Sequence, residues 1–549
     1  DSKNLGASAS IPYFHVISES SDLTFKPRFF STTEYLLQSE YRKETKNSSH
    51  IVDFSLNKDD NKNGRKTHFF SKSKINLDTN FFEKSEINLK LEKVSNDDYT
   101  RLYSLESTSP IIKDTNVLEN IFEFSGSRDD LDFILSFESY ETMNKLNSDK
   151  YEFIYPNYSL NKAINLENDL IESLNFSSIG NQKKFSTNIY EATQVNDLIF
   201  TSSKFINKFG LNNQLKTVVK NVNSDSNNSS KLKEKKQSEI LTLISYDLDL
   251  PLIKEDNDNL NLLIPKLSLR YSPNDSKNLK DENRLLSTDN IFSLNRIGFN
   301  ETIEGGGSLT IGIDYEKKNK KNNHLFDAKI ATVFRDELNE NLPNSSTLGK
   351  KQSDFVGEIR YIPNSNFSFD YNFSANNNFD QINFHSFENS FKVNNFINTF
   401  TFYEENNIIG KKSYYENSLS YMINENNSFS FKTRENKTDN LTEYYNLMYQ
   451  YKNDCLTASI TYNKDYYSTG NIKPNEELFF NITLIPLPPY SPELNAMEQV
   501  WEWIKKRFLY NQCYYDYNDI LDKVCNAWNH LSSNPDIIKS IIHRKWIHL

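Results

Sequence analysis

Tryptophan is absent from the first five hundred residues of this 549-residue chain. All four copies lie in the last tenth: Trp501, Trp503, Trp528 and Trp546. The residue pattern changes at the same place. Up to about residue 485 the sequence is rich in Asn, Ser, Phe and Tyr and alternates apolar with polar residues, and beyond it apolar residues recur at helical spacing. We therefore expect two unrelated pieces, residues 1–485 and 486–549.

Cysteine is scarce, and the three copies form neither a metal-binding motif nor a disulfide framework: Cys455, Cys513 and Cys525. Long apolar runs are lacking too, because no stretch reaches the roughly 18 consecutive apolar residues of a spanning helix. Membrane helices are thus excluded, whereas a membrane barrel, whose strands are short and only alternately apolar, is not. The chain opens at Asp1 without a secretory leader, so either a signal was removed or the sequence is N-terminally incomplete.

A basic excess is also lacking. The chain has 63 Lys and Arg against 74 Asp and Glu, which gives a net charge of -11. From Pro486 onward seven basic residues balance seven acidic ones. Nucleic-acid-binding surfaces usually present a basic field, so we expect no nucleic-acid partner for either piece.

What the first piece does contain is aromatic residues in alternating segments. Apolar residues make up 37% of the chain and aromatics 13%, with a mean hydropathy of -0.69. Segments such as Glu86–Leu91, Lys266–Tyr271 and Asn366–Phe373 alternate apolar and polar residues, which places one set on each face of a sheet. So many strands in one open sheet would expose edges, and closure removes them. We predict an all-β fold, a large antiparallel transmembrane β-barrel. A soluble β-sandwich or solenoid is the alternative.

Three stretches between these segments invite a separate interpretation. Residues 221–237 and 316–323 are polar and densely charged, so we expect solvated loops, with attraction to anionic lipid headgroups as the alternative. The run Glu304–Gly307 is followed by renewed alternation rather than a helix. A strand bend, bulge or hairpin is therefore expected there, and not a phosphate-binding loop.

Five ordered motifs then carry a resemblance: residues 4–42 (NLGASASIPYFHV onward), 267–274 (LSLRYSPN), 290–296 (NIFSLNR), 304–310 (EGGGSLT) and 451–462 (YKNDCLTASITY). Over residues 1–485 the chain resembles the LPS-assembly outer-membrane protein family (LptD). The resemblance implies an outer-membrane barrel that takes lipopolysaccharide from a periplasmic bridge and inserts it into the outer leaflet. It also implies an LptE-like lipoprotein plug in the lumen. No bond is made or broken, so neither an enzyme nor a cofactor is expected.

The same resemblance singles out three residues. Pro12 and Pro27 match prolines of the family's lateral gate, through which lipid leaves between the first and last strands. Proline gives no N–H to a β-ladder and weakens it. Without the resemblance, the preferred interpretation is that Pro12 begins a strand and Pro27 marks a bulge. Cys455 matches a cysteine that in relatives forms a disulfide with a cysteine of a periplasmic N-terminal domain. That partner cysteine is missing from this sequence. A buried, unreactive thiol is the alternative.

The second piece opens with PPYSPELNAMEQVW, residues 488–501, which resembles the closing motif of mariner-type DDE transposases. Glu498 matches that family's third metal-binding carboxylate, and Ala496 replaces its usual Pro. Two-metal strand transfer needs several carboxylates, and Asp465, the candidate at a similar gap, lacks the family's flanking residues. We therefore predict no metal site and no catalysis. A DDE transposase acting on DNA, by this motif alone and inactive, is the alternative function.

Helical spacing supports a short α-helical tail. Asn495 is suited to cap a first helix. Two apolar faces are predicted: Met497, Val500, Trp501, Ile504 and Phe508 on the first helix, and Ile520, Leu521, Val524 and Trp528 on a second. Disruption of a gene by an insertion element, or a false join during sequence assembly, would produce such a chain.

Overall fold

The computed structural model describes residues 5–31, 34–58, 66–145, 149–186, 188–230, 232–256, 258–321, 323–407, 410–453, 456–466, 476–484, 503–509 and 517–534. The chain forms two compact units. The first comprises Asp1–Asn453 and Thr457–Thr483, and the second comprises Asp454–Leu456 and Leu484–Leu549. No helix among the described residues combines the length and the hydropathy needed to cross a bilayer.

Strands dominate the first unit. The first fourteen are β1 Ser8–Ser10, β2 Tyr13–Ser18, β3 Ser21–Phe30, β4 Tyr35–Glu44, β5 Ser48–Lys58, β6 Thr67–Leu77, β7 Lys84–Val94, β8 Val117–Arg128, β9 Leu131–Thr142, β10 Tyr151–Ile164, β11 Ile171–Phe185, β12 Ile189–Ser202, β13 Phe205–Ile206 and β14 Asn212–Asn227. The others are β15 Gln237–Asp249, β16 Leu252–Glu255, β17 Asn259–Ser272, β18 Gly306–Asn319, β19 His324–Arg335, β20 Phe355–Asn364, β21 Phe367–Ala375, β22 Ile382–Val393, β23 Phe396–Asn407, β24 Gly410–Asn424, β25 Asn427–Asn436, β26 Leu441–Lys452, β27 Leu456–Asp465 and β28 Glu476–Leu484.

These strands form one closed antiparallel meander. Within the described residues the 28 named strands make 25 passes, because β1–β2, β12–β13 and β15–β16 are each one interrupted pass. The barrel closes where β1 and β2 pair with β28. Because the number of passes is odd and their direction alternates, the first and the last pass run in the same direction. Ser10 on β1 accordingly pairs in parallel with Asn481 on β28. The predicted all-β barrel is confirmed.

The two faces of the wall follow the alternation in the sequence. On β4 and β5 the side chains of Tyr35, Leu37 and Leu56 are exposed, while Gln38 and Asp53 on the opposite face are buried. An apolar outer surface and a polar interior are what a barrel in lipid requires. The polar faces of these strands therefore line the lumen.

Two short helices and one 3₁₀ turn lie in long connections of the barrel. Helices α1 (Tyr99–Leu102) and α2 (Leu105–Thr108) follow β7, and the 3₁₀ turn Asn344–Ser346 follows β19. Because passes alternate in direction, the connections β7–β8, β17–β18 and β19–β20 all lie at the same end of the barrel. Residues 95–116 are called the first inward segment below, and residues 273–305 the second inward segment.

Two expectations about loops were partly wrong. Strand β14 runs on to Asn227 and pairs with β12 and β15, so residues 221–227 are strand rather than loop. Strand β18 likewise extends to Asn319. Polar, charged residues are compatible with strands when the neighbouring strands satisfy their backbone groups, which hydropathy along the chain does not reveal.

The second unit contains a helical turn and one helix among its described residues. Residues 503–509 include the π-helical turn Lys505–Leu509, and α3 spans Tyr517–Ser532. Ile504, Ala527 and Leu531 form its buried cluster. The predicted second stripe lies on α3, and its members Leu521 and Trp528 are 44% and 43% exposed. Asn495, Met497, Val500 and Trp501 lie outside the described residues.

Candidate functional site at the junction of the first and last strands

The two prolines singled out by the sequence meet at one interruption of the β-ladder. β1 pairs with β3 up to Ser10–Arg28, and pairing resumes between Tyr13 of β2 and Phe25 of β3. The register is the same on both sides, so Ile11 and Pro12 stand opposite Pro27 and Lys26. Proline cannot donate to a ladder, which accounts for the gap between β1 and β2.

The same pass also meets the last strand. Ser10 is the described parallel partner of Asn481 on β28, one residue before the interruption begins. Parallel pairing is slightly less stable per residue than antiparallel pairing. The first pass of the barrel is thus interrupted by proline toward β3 and joined in parallel toward β28.

The first inward segment lies against this junction on the lumen side. Arg28 Nη1 on β3 donates to the carbonyl oxygen of Tyr103 at 2.9 Å. Ser104 Oγ donates to the carboxylate of Glu477 on β28, at 3.0 and 3.1 Å to its two oxygens. Lys26 Nζ donates to the carbonyl oxygen of Thr108 at 2.9 Å. The segment is therefore hydrogen-bonded to strands on both sides of the junction.

Arg28 is buried among aromatic rings and charges. Its guanidinium lies 4.9 Å from the ring centroid of Phe30 and 4.7 Å from that of Phe479. Such cation–aromatic contacts stabilise a charge taken out of water. Phe479 and Glu477 both belong to β28, so the last strand supplies an aromatic face and a nearby negative charge to a cation of the second pass.

A buried polar network fixes the other end of the first inward segment. Ser55 Oγ lies 2.6 Å from His68 Nδ1, and His68 Nε2 lies 3.2 Å from Asp53 Oδ1. Tyr99 hydroxyl closes the network on Ser55, and burial raises the pKa of Tyr99. The Ser–His–Asp order is that of a hydrolytic triad. No side chain of this network is more than 3% exposed: Asp53, Ser55, His68 and Tyr99. A substrate therefore cannot reach the Ser55 hydroxyl, and we assign the network to holding Tyr99 in place.

The second inward segment is held by a different kind of contact. Arg296, which is fully buried, donates to Glu304 at 2.5 and 2.6 Å and to Ser308 and Thr310 on β18. Arg335 Nη1 donates to the same carboxylate at 2.5 Å. Burial alone would raise the pKa of Glu304, but the surrounding guanidiniums, chiefly Arg296, hold it at about 2.

Backbone contacts and a small apolar core complete this anchorage. Arg270 on β17 donates to the carbonyl oxygens of Ser293 and Leu294 at 2.6 and 2.5 Å. The apolar cluster joins the segment to β19, β20 and the β19–β20 connection: Leu286, Ile291, Ile297, Ala331, Val333, Leu342, Leu348 and Val356. The long connection thus folds back against the inner wall.

The glycine run predicted to bend the chain does so. Gly306 has φ of +83°, in the left-handed region that favours glycine, and β18 begins at this residue. A Cβ on Gly305 would lie 2.2 Å from the carbonyl oxygen of Asn274. The run therefore lets the second inward segment turn sharply into a strand beside its own starting point.

Other predicted residues are placed as follows. Cys455 and Glu498 lie outside the described residues, so their predicted roles stay predictions. Cys525 is a free, exposed thiol on α3. Among the described residues no group of three or more His, Cys, Asp and Glu side chains is placed to hold a metal ion. The sequence brought attention to the prolines, but it gave no indication of the two inward segments.

A closed barrel with an apolar outer face, a polar inner face and inward-folded connections is an outer-membrane β-barrel. The family model of LPS transport system D matches residues 63–414, more than half of the chain. The chain therefore belongs to the LPS transport system D family. A second model, that of a DDE superfamily endonuclease, matches residues 466–520 and so includes β28.

Similar proteins were also found for parts of the chain. The uncharacterized protein y4pE/y4sA of Sinorhizobium fredii is 44% identical over 78 residues, which is 14% of this chain. The chain spans 58% of that relative's length. Among solved structures, the FrpB iron transporter of Neisseria meningitidis matches in its F3-3 and F5-1 variants, both at 8% identity over 84% of this chain. These cover 81% and 82% of the transporter, with TM-scores of 0.32 and 0.31. Scores this low carry no argument about mechanism.

Proposed function

We propose that this barrel inserts lipopolysaccharide into the outer leaflet of the outer membrane and that the lipid leaves between β1–β2 and β28. One observation carries the proposal: the first pass is interrupted at Pro12 and Pro27 on one side and paired in parallel on the other. Parallel pairing lowers the cost of separating the first pass from β28, and the proline interruption leaves fewer ladder bonds to hold that pass against β3 as it moves. Family membership supplies the substrate class.

The partners follow from the same proposal. Lipopolysaccharide would arrive from a periplasmic transport bridge, and an LptE-like lipoprotein would occupy the part of the lumen that the inward segments leave open. Cys455 would pair with a cysteine of a periplasmic N-terminal domain. Transport by opening and closing strands needs no cofactor and no bond cleavage.

A cross-link across the junction tests the exit path. In cells that depend on this protein, Ser10→Cys with Asn481→Cys places thiols on paired residues, within reach of a disulfide. Under oxidising conditions newly made lipopolysaccharide should stop reaching the cell surface, and reduction should restore it. Surface modification of labelled lipopolysaccharide measures both states.

The matched control is Ser420→Cys with Ser430→Cys, a paired position between β24 and β25. This disulfide should leave delivery unchanged, because the proposed exit does not use that ladder. Undiminished delivery with the junction locked would contradict the proposal, as would equal loss in both pairs.

For residues 486–549 we propose no catalytic role, although part of the endonuclease match falls there. Strand transfer with two metal ions requires carboxylates from separate elements, and Glu498 alone matches that family's pattern. Purified protein with Mg2+ and plasmid DNA should give no nicking above background, and Glu498→Gln should give the same result. Nicking that Glu498→Gln abolishes would show that the segment is an enzyme.

A further inference from the structure

A cavity of about 450 Å³ opens on the inner face of the junction. Strands β26, β27 and β28 form one wall, and residues of β1, β3, β4 and the first inward segment form the other. Its volume falls within the roughly 300–1,000 Å³ of small-molecule sites. Leu447 and Ile460 are exposed on the outer faces of β26 and β27, so the lining residues of these two strands face the lumen, whereas Phe480, exposed on the outer face of β28, lines the cavity at the junction itself.

The wall formed by β26 and β27 carries one apolar side chain, Met448, among hydroxyl and amide side chains at alternate positions: Asn446, Thr457, Ser459, Thr461 and Asn463. Hydroxyls and amides both donate and accept hydrogen bonds. Asn446 Nδ2 donates to Asn463 Oδ1 at 2.5 Å, which links the two strands within this surface. Such a wall complements the hydroxyls of a saccharide. None of the described residues that β26 and β27 contribute to it is ionisable.

The opposite wall is cationic. Lys26 and Arg28 line the cavity, and none of the other described residues that line it is a carboxylate. Lys26 is held by Glu40 at 2.6 Å, and Arg28 Nε reaches Ser8 Oγ at 3.4 Å, so both cations are fixed in place by neighbours. Two positioned cations at a cavity otherwise lined by neutral groups favour an anion, and phosphate accepts charge-assisted hydrogen bonds from both residue types.

We propose that this cavity binds a phosphorylated saccharide, with sugar hydroxyls on the β26–β27 wall and phosphate at Lys26 and Arg28. The inference rests on the proposed function for its natural source, the saccharide part of lipopolysaccharide at the point of exit. A free sugar phosphate has the same chemistry. The site therefore binds the phosphorylated saccharide of the lipid on the lumen side of the junction.

Binding by the whole purified chain in detergent micelles tests the site. The probes are deacylated lipopolysaccharide core oligosaccharide, the same oligosaccharide after phosphatase treatment, and glucosamine 6-phosphate, each titrated by calorimetry. We expect phosphatase treatment to weaken binding about tenfold, the effect of losing a hydrogen bond to a charged group. Glucosamine 6-phosphate should bind more weakly than the oligosaccharide, and equal binding would make the free sugar phosphate the ligand and overturn the lipid as source.

Three variants locate the site. Arg28→Gln should weaken binding of the phosphorylated oligosaccharide about tenfold and abolish the preference over the dephosphorylated one. Thr461→Val should weaken both oligosaccharides by a similar, smaller factor. Lys220→Gln is the matched control, because Lys220 is also a buried cation paired with a carboxylate, Asp197, and lies away from the cavity.

Heat-modifiable migration on a denaturing gel checks that each variant folds. If Arg28→Gln does not fold, Lys26→Gln with Thr461→Val carries the same comparison. The inference would be overturned if the unsubstituted protein bound the phosphorylated and the dephosphorylated oligosaccharide with equal affinity. It would also be overturned if Lys220→Gln lost as much affinity as Arg28→Gln. A junction disulfide that blocks delivery while Arg28→Gln binds normally would refute this site and leave the proposed function standing. The reverse pattern would refute the function and leave the site.

Discussion

The two inward segments are held against the wall by different kinds of contact. The first, residues 95–116, is held by apolar packing and a hydroxyl bond around Tyr99 and Tyr103, and by single hydrogen bonds with Lys26, Arg28 and Glu477. The second, residues 273–305, is held by arginines that converge on Glu304 and on backbone carbonyls. The first contacts the junction, and the second packs on β17 to β20.

The difference bears on how each segment can be released. The bonds of the first segment to the junction each have only one charged partner and contribute less than a buried ion pair, which suits a segment beside a line of the wall that is proposed to open. A buried ion pair costs little to keep but much to break, because removing one partner leaves an uncompensated charge. The second segment is accordingly suited to permanent closure.

The largest expected effect comes from Arg296→Met, which removes one partner of the buried pair with Glu304. We expect the free energy of opening of the second inward segment to fall by about 3–5 kcal/mol. Amide hydrogen exchange of residues 286–304, measured on the barrel in micelles, reports this opening.

The matched control is Arg360→Met, which breaks an exposed pair with Asp370 on the wall. That change should cost at most about 1 kcal/mol, since exposed pairs contribute little. Similar losses in both variants would mean that burial does not distinguish the second segment's anchorage.

A smaller effect is expected at the first inward segment. Tyr99→Phe removes the hydroxyl bonded to Ser55 and should lower its free energy of opening by about 1–2 kcal/mol in hydrogen exchange of residues 98–108. Tyr449→Phe, which deletes an exposed hydroxyl on the outer face, should change nothing there. A loss as large as that of Arg296→Met would remove the contrast between the segments.

The two segments should also open at opposite ends of the pH scale. The pKa of Glu304 is lowered from 4.5 to about 2, so its stabilisation is present above pH 4.5 and is lost as pH falls toward 2. The pKa of Tyr99 is raised above its ordinary 10.0, so its stabilisation is present below pH 10 and is lost above it.

Nitroxide labels on Asn283→Cys and Pro110→Cys, with the native cysteines changed to serine, measure these transitions. Acid should raise label mobility at residue 283 first, and alkali should raise it at residue 110 first. Mobility that rises at both sites together in acid would show that the segments do not open independently.

The smallest effect is expected from removing residues 486–549. A chain ending at Ile485 should keep its heat-modifiable migration on a denaturing gel. It should also keep the acid opening of the second inward segment and the alkaline opening of the first, because the anchoring contacts named above all lie before residue 485. A shift in either transition would show that the predicted boundary between the two pieces is wrong.

Prediction from sequence succeeded where the pattern is local. Alternation in segments such as Glu86–Leu91 gave strands, and the helical spacing after residue 516 gave α3. The glycine bend before β18 was also foreseen. The residues that fold into the lumen carry no such pattern: 95–116 and 273–305 are polar stretches of mixed composition, and their order comes from contacts with strands far along the chain.

The partners of Arg296 illustrate the limit for the candidate site. Glu304 is close in sequence, but Arg335 and Arg270 reach the same cluster from β19 and β17, the two strands that pair with β18 on either side. Likewise Pro12 and Pro27 were named from sequence, whereas their common position in one ladder gap depends on register.

The sequence by itself determined the class of this protein, because a period of two in side-chain polarity specifies a two-faced wall and the number of segments requires closure. Only the tertiary structure decided how the wall closes and what fills it. The direction of the last pass, the parallel pairing of Ser10 with Asn481 and the cavity beside Arg28 depend on strand count and on residues hundreds of positions apart. Contacts of that range leave no trace in local periodicity.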